Sequence, residues 1–207
     1  GGTYTALSPA RKYTGLQASL GRAGLQGIEA VELIATNLSL KLNKSAVDDP
    51  ATPAVVETGA LLNWSALDAD SDGLELNPAS DPDFQIGGSL GLSVASVVYA
   101  DADFNLTRTA GVVLDDPDDD TGKTLKGQLL TVSISNADLF IGTGAELDSV
   151  ATSATYGEVT LPASTDPAAV GFFAENGALD LAIFTASQSV SGTTETVASG
   201  LAPSSSD

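Results

Sequence analysis

The 207-residue sequence predicts an all-β fold, a β-solenoid with loop insertions, with a β-sandwich as the alternative. Three observations lead there. Apolar residues alternate with period two along much of the chain. The clearest alternating segments each open on Gly. They recur at a spacing of about 20 residues, an order familiar from solenoid rungs, with polar insertions between them.

Taken in order, residues 13–21, "YTGLQASLG", are the weakest member. Residues 27–43, "GIEAVELIATNLSLKLN", alternate at Ile28 and Ala30 and again at Leu38, Leu40 and Leu42. Within 24–35 a helical period competes, but the neighbouring alternation favours strand. Residues 87–106 place Leu90, Leu92 and Val94, then Ala102, Phe104 and Leu106, on one face. Residues 127–141 do the same with Leu130, Val132 and Ile134, then Ala137, Leu139 and Ile141. Leu179, Leu181 and Ile183 close the series. The three long segments thus read as short strand, break, short strand. Insertions at 44–59, 68–85, 109–124 and 143–170 carry Pro and Asp. Residues 13–186 form the domain on this reading, and 1–12 and 187–207 are Gly-, Ser- and Pro-rich linkers.

Composition narrows the function. The net charge is −19, from 27 acidic and 8 basic residues. Nucleic-acid binding needs Lys and Arg against phosphate, and anionic membrane surfaces need the same, so both are excluded as partners. Hydrophobic residues at 43% are too many for a disordered acidic chain. No apolar run approaches the ~20 residues of a membrane helix. Cys and His are absent, which removes disulfides, thiol chemistry and the commonest general base. No Gly-x-Ser-x-Gly elbow is present. A catalytic role is therefore not expected, and no catalytic residue is assigned. The absence of Met leads to the expectation that the chain is processed or excised from something larger.

The densest chemistry lies in "DADSDG". Asp68, Asp70 and Asp72 sit on alternate residues before Gly73. Like charges at that spacing repel unless a cation lies between them. Oxygen ligands at alternate positions, with a Gly at the turn, point to calcium. An EF-hand is excluded: the twelfth position is Ala79 rather than Glu, and the eighth is Glu75. A calcium loop between strands fits better, with Glu75, Asp81 or Asp83 completing the shell. The plain alternative is a solvated acidic turn. The second acidic run, Asp115, Asp116, Asp118, Asp119 and Asp120, reads as a charged loop tip. The "GKT" after it is no phosphate loop, since position 117 is Pro where Gly is required.

Asn37, Asn43, Asn63 and Asn105 open Asn-x-Ser/Thr triplets, which are glycan acceptors or simply polar strand positions. Trp64 and Tyr99 are assigned to the core rather than to a sugar-stacking platform.

The strings "LLNWSALDADSDG", "GALDLAIFTA" and "GLQGIEAVELIATNLSLKLN" resemble the long tandem repeats of giant secreted bacterial surface and adhesin-like proteins of the RTX-associated type. The RTX nonapeptide, Gly-Gly-x-Gly-x-Asp, is absent. The resemblance implies an extracellular or cell-surface, calcium-tolerant structural module. Its partners would be neighbouring copies of itself or adjacent modules. The alternative is a calcium-dependent carbohydrate-binding or adhesin domain that takes surface glycans. Calcium is the one cofactor expected, in a structural role.

Overall fold

A computed structural model describes residues 10–25, 28–48, 61–66, 73–118, 123–163 and 169–190. The described chain is all β apart from one 3-10 turn at Trp64–Ala66. Its strands are β1 (Ala10–Leu25), β2 (Val31–Asp48), β3 (Phe84–Val94), β4 (Val98–Asp115), β5 (Thr124–Thr143), β6 (Glu146–Leu147), β7 (Val159–Thr160) and β8 (Val170–Val190). Six of them form one sheet in the order β1-β2-β3-β4-β5-β8, and β6 and β7 form a small hairpin. Every ladder is antiparallel. The parallel rung stacking of a solenoid is not among the described pairings. Period-two alternation reports half-buried strands but does not encode their direction.

The breaks seen in the sequence have two structural causes. Between Val94 and Val98 the chain turns back on itself, with Ala95 and Ser96 both at φ 53° and the Val97 N–H donating to the Val94 carbonyl. Positive φ at both central residues matches the twist of a hairpin. The other two breaks are bulges inside single long strands. Asn37 (φ 53°) lies where the β2–β3 register shifts, and Asn136 (φ 50°) lies where β5 shifts against β4 and β8. Asn is one of the few residues that tolerates the left-handed region. Each bulge inserts an extra residue and restores the same side of the sheet to the next apolar run.

Cross-strand partners share a face, so the register divides the sheet into two surfaces. One face carries rows of apolar residues, such as Ala18–Leu40–Ile86–Leu106–Val132–Leu181. The other is mainly polar, with Gln17–Lys41–Gln85–Thr107–Thr131–Ala182 as one row. Buried positions do not follow hydrophobicity. The buried residues of the six long strands, among them Ile34, Asn43, Ser93, Tyr99 and Phe140, all lie on the mainly polar face.

That face is covered by connecting segments. At one end β6, β7 and their flanks pack Ala145, Leu147 and Val159 onto Ile34, Tyr99 and Phe140, the principal core. The Tyr99 and Phe140 rings are tilted at 45° with centroids 6.5 Å apart. Gly91 permits this approach: a side chain there would collide with the backbone of Gly157. At the other end the Trp64 turn and residues 73–83 lie over β1 and β2, with Leu76 fully buried. The assignment of Tyr99 to the core holds.

β1 and β8 are the outer strands, and neither has a second ladder partner among the described residues. β1 begins at Ala10 and β8 ends at Val190, so the sheet extends a few residues into both segments read as linkers.

Candidate functional site

Three regions hold the chemistry: the carboxylates expected to bind calcium, a polar cleft at the opposite end, and the apolar face.

Asp68, Asp70 and Asp72 lie outside the described residues. Glu75 is exposed, and its backbone N–H donates to Oε1 of Gln17 at 3.2 Å. Asp81 is held by its own chain. Its Oδ1 accepts from Lys41 Nζ at 2.9 Å and its Oδ2 accepts the Asn77 N–H at 2.9 Å. The Asn77 N–H, assisted by Lys41, holds its carboxyl below the usual carboxylate range against the opposing effect of burial. Asp83 is 5% exposed and pairs with Arg108, Oδ2 to Nη2 at 2.9 Å and to Nε at 3.0 Å. Its Oδ1 is buried without a hydrogen-bond partner. Two of the expected ligands are thus already countered by cations of the chain, and no group of three or more carboxylates among the described residues is arranged to hold a metal ion.

Trp64 lies against Gly15 of β1 and Asn43 of β2. Its indole N–H donates to Oδ1 of Asn43, and Nδ2 of Asn43 donates to the Leu62 carbonyl at 2.9 Å. Asn43 is 1% exposed, so one of the four glycan triplets is closed to modification in the folded chain. Gly15 lies under the indole: a Cβ there would stand 2.7 Å from Trp64 Cε2. Trp64 is therefore a packing residue, but it is half-buried and lies outside the buried core expected for it.

The cleft at the other end has a volume of about 400 Å³ and is lined by Arg22, Asp101, Asp103, Asn136, Asp138 and Tyr156, among others. Asp101 and Asp138 are direct cross-strand partners. Asp101 Oδ2 accepts the Val159 N–H at 3.0 Å, while Oδ1 is buried without a partner. Burial pushes the Asp101 carboxyl up, reinforced by the charges of Asp138 and Glu158 and opposed by the Val159 N–H. Asp103 goes the other way. Ser89 Oγ donates to it at 2.5 Å and Asn136 Nδ2 at 2.7 Å, and these bonds hold its carboxyl below the usual range. Arg22 stacks over Tyr156, 5.2 Å from the ring centroid, and donates to the Ala151 carbonyl.

Sequence reasoning missed this cleft. Its signal was "YADADFNL", in which Asp101 and Asp103 stand two apart on a strand and so share a face. Ala102 and Phe104, on the other face, carry the stronger alternation signal in the same stretch.

The apolar face is the third region. Among the described residues no position on it is buried, and exposure is greatest on the outer strands, where Phe172 is 63% and Leu181 45% exposed. Its central rows carry one charged side chain, Arg108, which Asp83 neutralises.

Comparison with protein-family models, curated proteins and solved structures finds no match for this chain.

Proposed function

We propose that the chain is a non-catalytic structural module of an extracellular repeat protein or self-assembling filament, one that continues its sheet into neighbouring copies. The observation that carries this reading is the pair of outer strands, 16 and 21 residues long, neither of which has a second ladder partner among the described residues. A long edge strand is a template for pairing, and proteins that avoid association blunt it with charge, Pro or a covering loop. Along β8, residues 170–187, the acidic side chains are Glu175 and Asp180, and neither Lys nor Pro occurs. Six alternating strands also make β1 and β8 run in opposite directions. The β8 strand of one copy can therefore lie antiparallel beside β1 of the next, and the meander continues without a change of pattern. Copies joined this way would build the long stacked β-architecture that the sequence spacing suggested.

Calcium has a place in this reading. Asp68, Asp70 and Asp72 keep the ligand spacing, with Glu75 nearest in sequence, whereas Asp81 and Asp83 serve Lys41 and Arg108. An ion at the loop would stabilise the module by mass action.

The test is self-association. In millimolar calcium the purified chain should form open-ended assemblies, visible by sedimentation and negative-stain microscopy. Lys placed on the outer strands through Ser19→Lys and Ala182→Lys should cap them. A chain indifferent to both substitutions and to calcium sinks the proposal.

A second reading, a glycan-binding or adhesin domain, draws on the cleft beside Tyr156. Carboxylates and amides around an aromatic ring suit sugar hydroxyls. Saturable glycan binding lost in Asp103→Ala would support it.

A further inference from the structure

We infer that the apolar face of the sheet is covered by the same face of a second copy, so that two chains form a β-sandwich through side chains rather than through strand edges. This deepens the reading of the chain as a self-associating module and is separable from it, because face packing gives a closed dimer and edge pairing an open array.

Burial is reversed between the two faces of the sheet. The polar face of the sheet is covered by the chain's own segments, and among the described residues no position on the apolar face is buried. Contiguous apolar surface beyond a few hundred Å² marks an interaction site. Six strands at about 4.8 Å spacing, with six apolar rows about 6.8 Å apart, give roughly 800 Å². That is the area about one partner contributes to a stable protein–protein interface.

Charge identifies the occupant. A chain of net charge −19 repels its own copies. Two copies can meet closely only where carboxylates are absent, and between the rows of Leu16 and of Val31 the apolar face has none. Its one cation, Arg108, is already paired with Asp83, so contact leaves no unpaired charge in the interface. An anionic bilayer is disfavoured by the same net charge. Sheets packed about 10 Å apart need interdigitating aliphatic side chains on both sides, and the Leu, Val and Ile rows supply them.

The test uses the whole chain, with the edges capped by Ser19→Lys and Ala182→Lys to suppress strand addition. Sedimentation equilibrium should give twice the 20.8 kDa chain mass, with dissociation on dilution and tighter association at higher salt. Leu106→Glu with Val132→Glu should give a monomer with the β-sheet circular dichroism intact. Because the chain has no Cys, Leu106→Cys introduces a single thiol. Its maleimide labelling should be slow in the dimer and fast on dilution, a readout independent of the charged variants. An edge-capped chain that stays monomeric with a freely reactive thiol overturns the inference and leaves edge assembly standing. A dimer that survives the Glu pair also overturns it. So does a monomer whose thiol is protected only by phosphatidylcholine vesicles, which would assign the face to lipid.

Discussion

Trp64 donates its indole N–H to Oδ1 of Asn43 at 3.1 Å, and this bond fastens the segment after β2 back onto the sheet. Asn43 also donates to the Leu62 carbonyl, so one buried side chain satisfies polar groups on both sides of the turn. Asn43→Leu keeps the volume but leaves the indole N–H and the Leu62 carbonyl without partners. The expected loss is about 2–3 kcal/mol. For a chain of this size that lowers the melt by about 4–12 °C. Trp64 is the only Trp, so its emission should shift to the red at the same time. A melt and spectrum like those of the wild type would remove Asn43 from this role.

Much of the fold was legible because it rests on local alternation. The apolar sets at Leu38–Leu42, Leu90–Val94 and Leu130–Ile134 mark strands that share one face. The breaks between Ala30 and Leu38 and between Ile134 and Ala137 were also visible, but a bulge and a turn look alike in sequence, since both interrupt the period and both accept Asn. Strand direction was not legible, because alternation is the same for parallel and antiparallel neighbours. Nor was the reversal of burial. Which face the connections cover depends on how Trp64, Leu76, Leu147 and Val159 fold back, and that is a long-range outcome. The pairing of Asp81 with Lys41 and of Asp83 with Arg108 was not legible either, because the partners are distant in sequence.

Gly15 and Trp64 form a second linked pair. Any Cβ at position 15 meets the indole at 2.7 Å, inside ordinary van der Waals contact. Gly15→Ala should therefore lower the melt, and Trp64→Ala should lower it by losing the packing and the bond to Asn43. The double variant should lose less than the sum, with a coupling of about 0.5–3 kcal/mol. Additive losses would mean that the turn shifts freely away from β1.

Calcium addition separates the two groups of carboxylates. With the ion about a hundredfold above its dissociation constant, the wild type should gain about 2.7 kcal/mol. Asp70→Ala with Asp72→Ala should abolish the gain. Asp81→Asn should lower the melt with or without calcium, by about 1 kcal/mol, through loss of its partly exposed pair with Lys41. It should keep the calcium shift. Loss of that shift in Asp81→Asn alone would place Asp81 in the ion's shell.

The pH dependence follows from opposite shifts in the cleft. Asp103 is held low by Ser89 and Asn136, so its contribution to stability is present above the ordinary carboxylate pKa and is lost as pH falls through its lowered value. Asp101 is raised by burial, so its favourable contribution is fully present only below the ordinary pKa and is lost as pH rises through its raised value. The ionised form of Asp101 therefore destabilises the fold, with Oδ1 unpartnered and Asp138 opposite. Asp101→Asn removes the charge and retains an acceptor for the Val159 N–H. It should raise the neutral-pH melt. The advantage should shrink as pH falls and vanish below about pH 4, where the wild-type carboxyl is protonated in both folded and unfolded chains. Melts of the two proteins from pH 7 to pH 3 measure the difference directly. A gap that stays constant or widens toward acid pH would show that Asp101 is not strained by its charge, and that the Val159 N–H outweighs its burial.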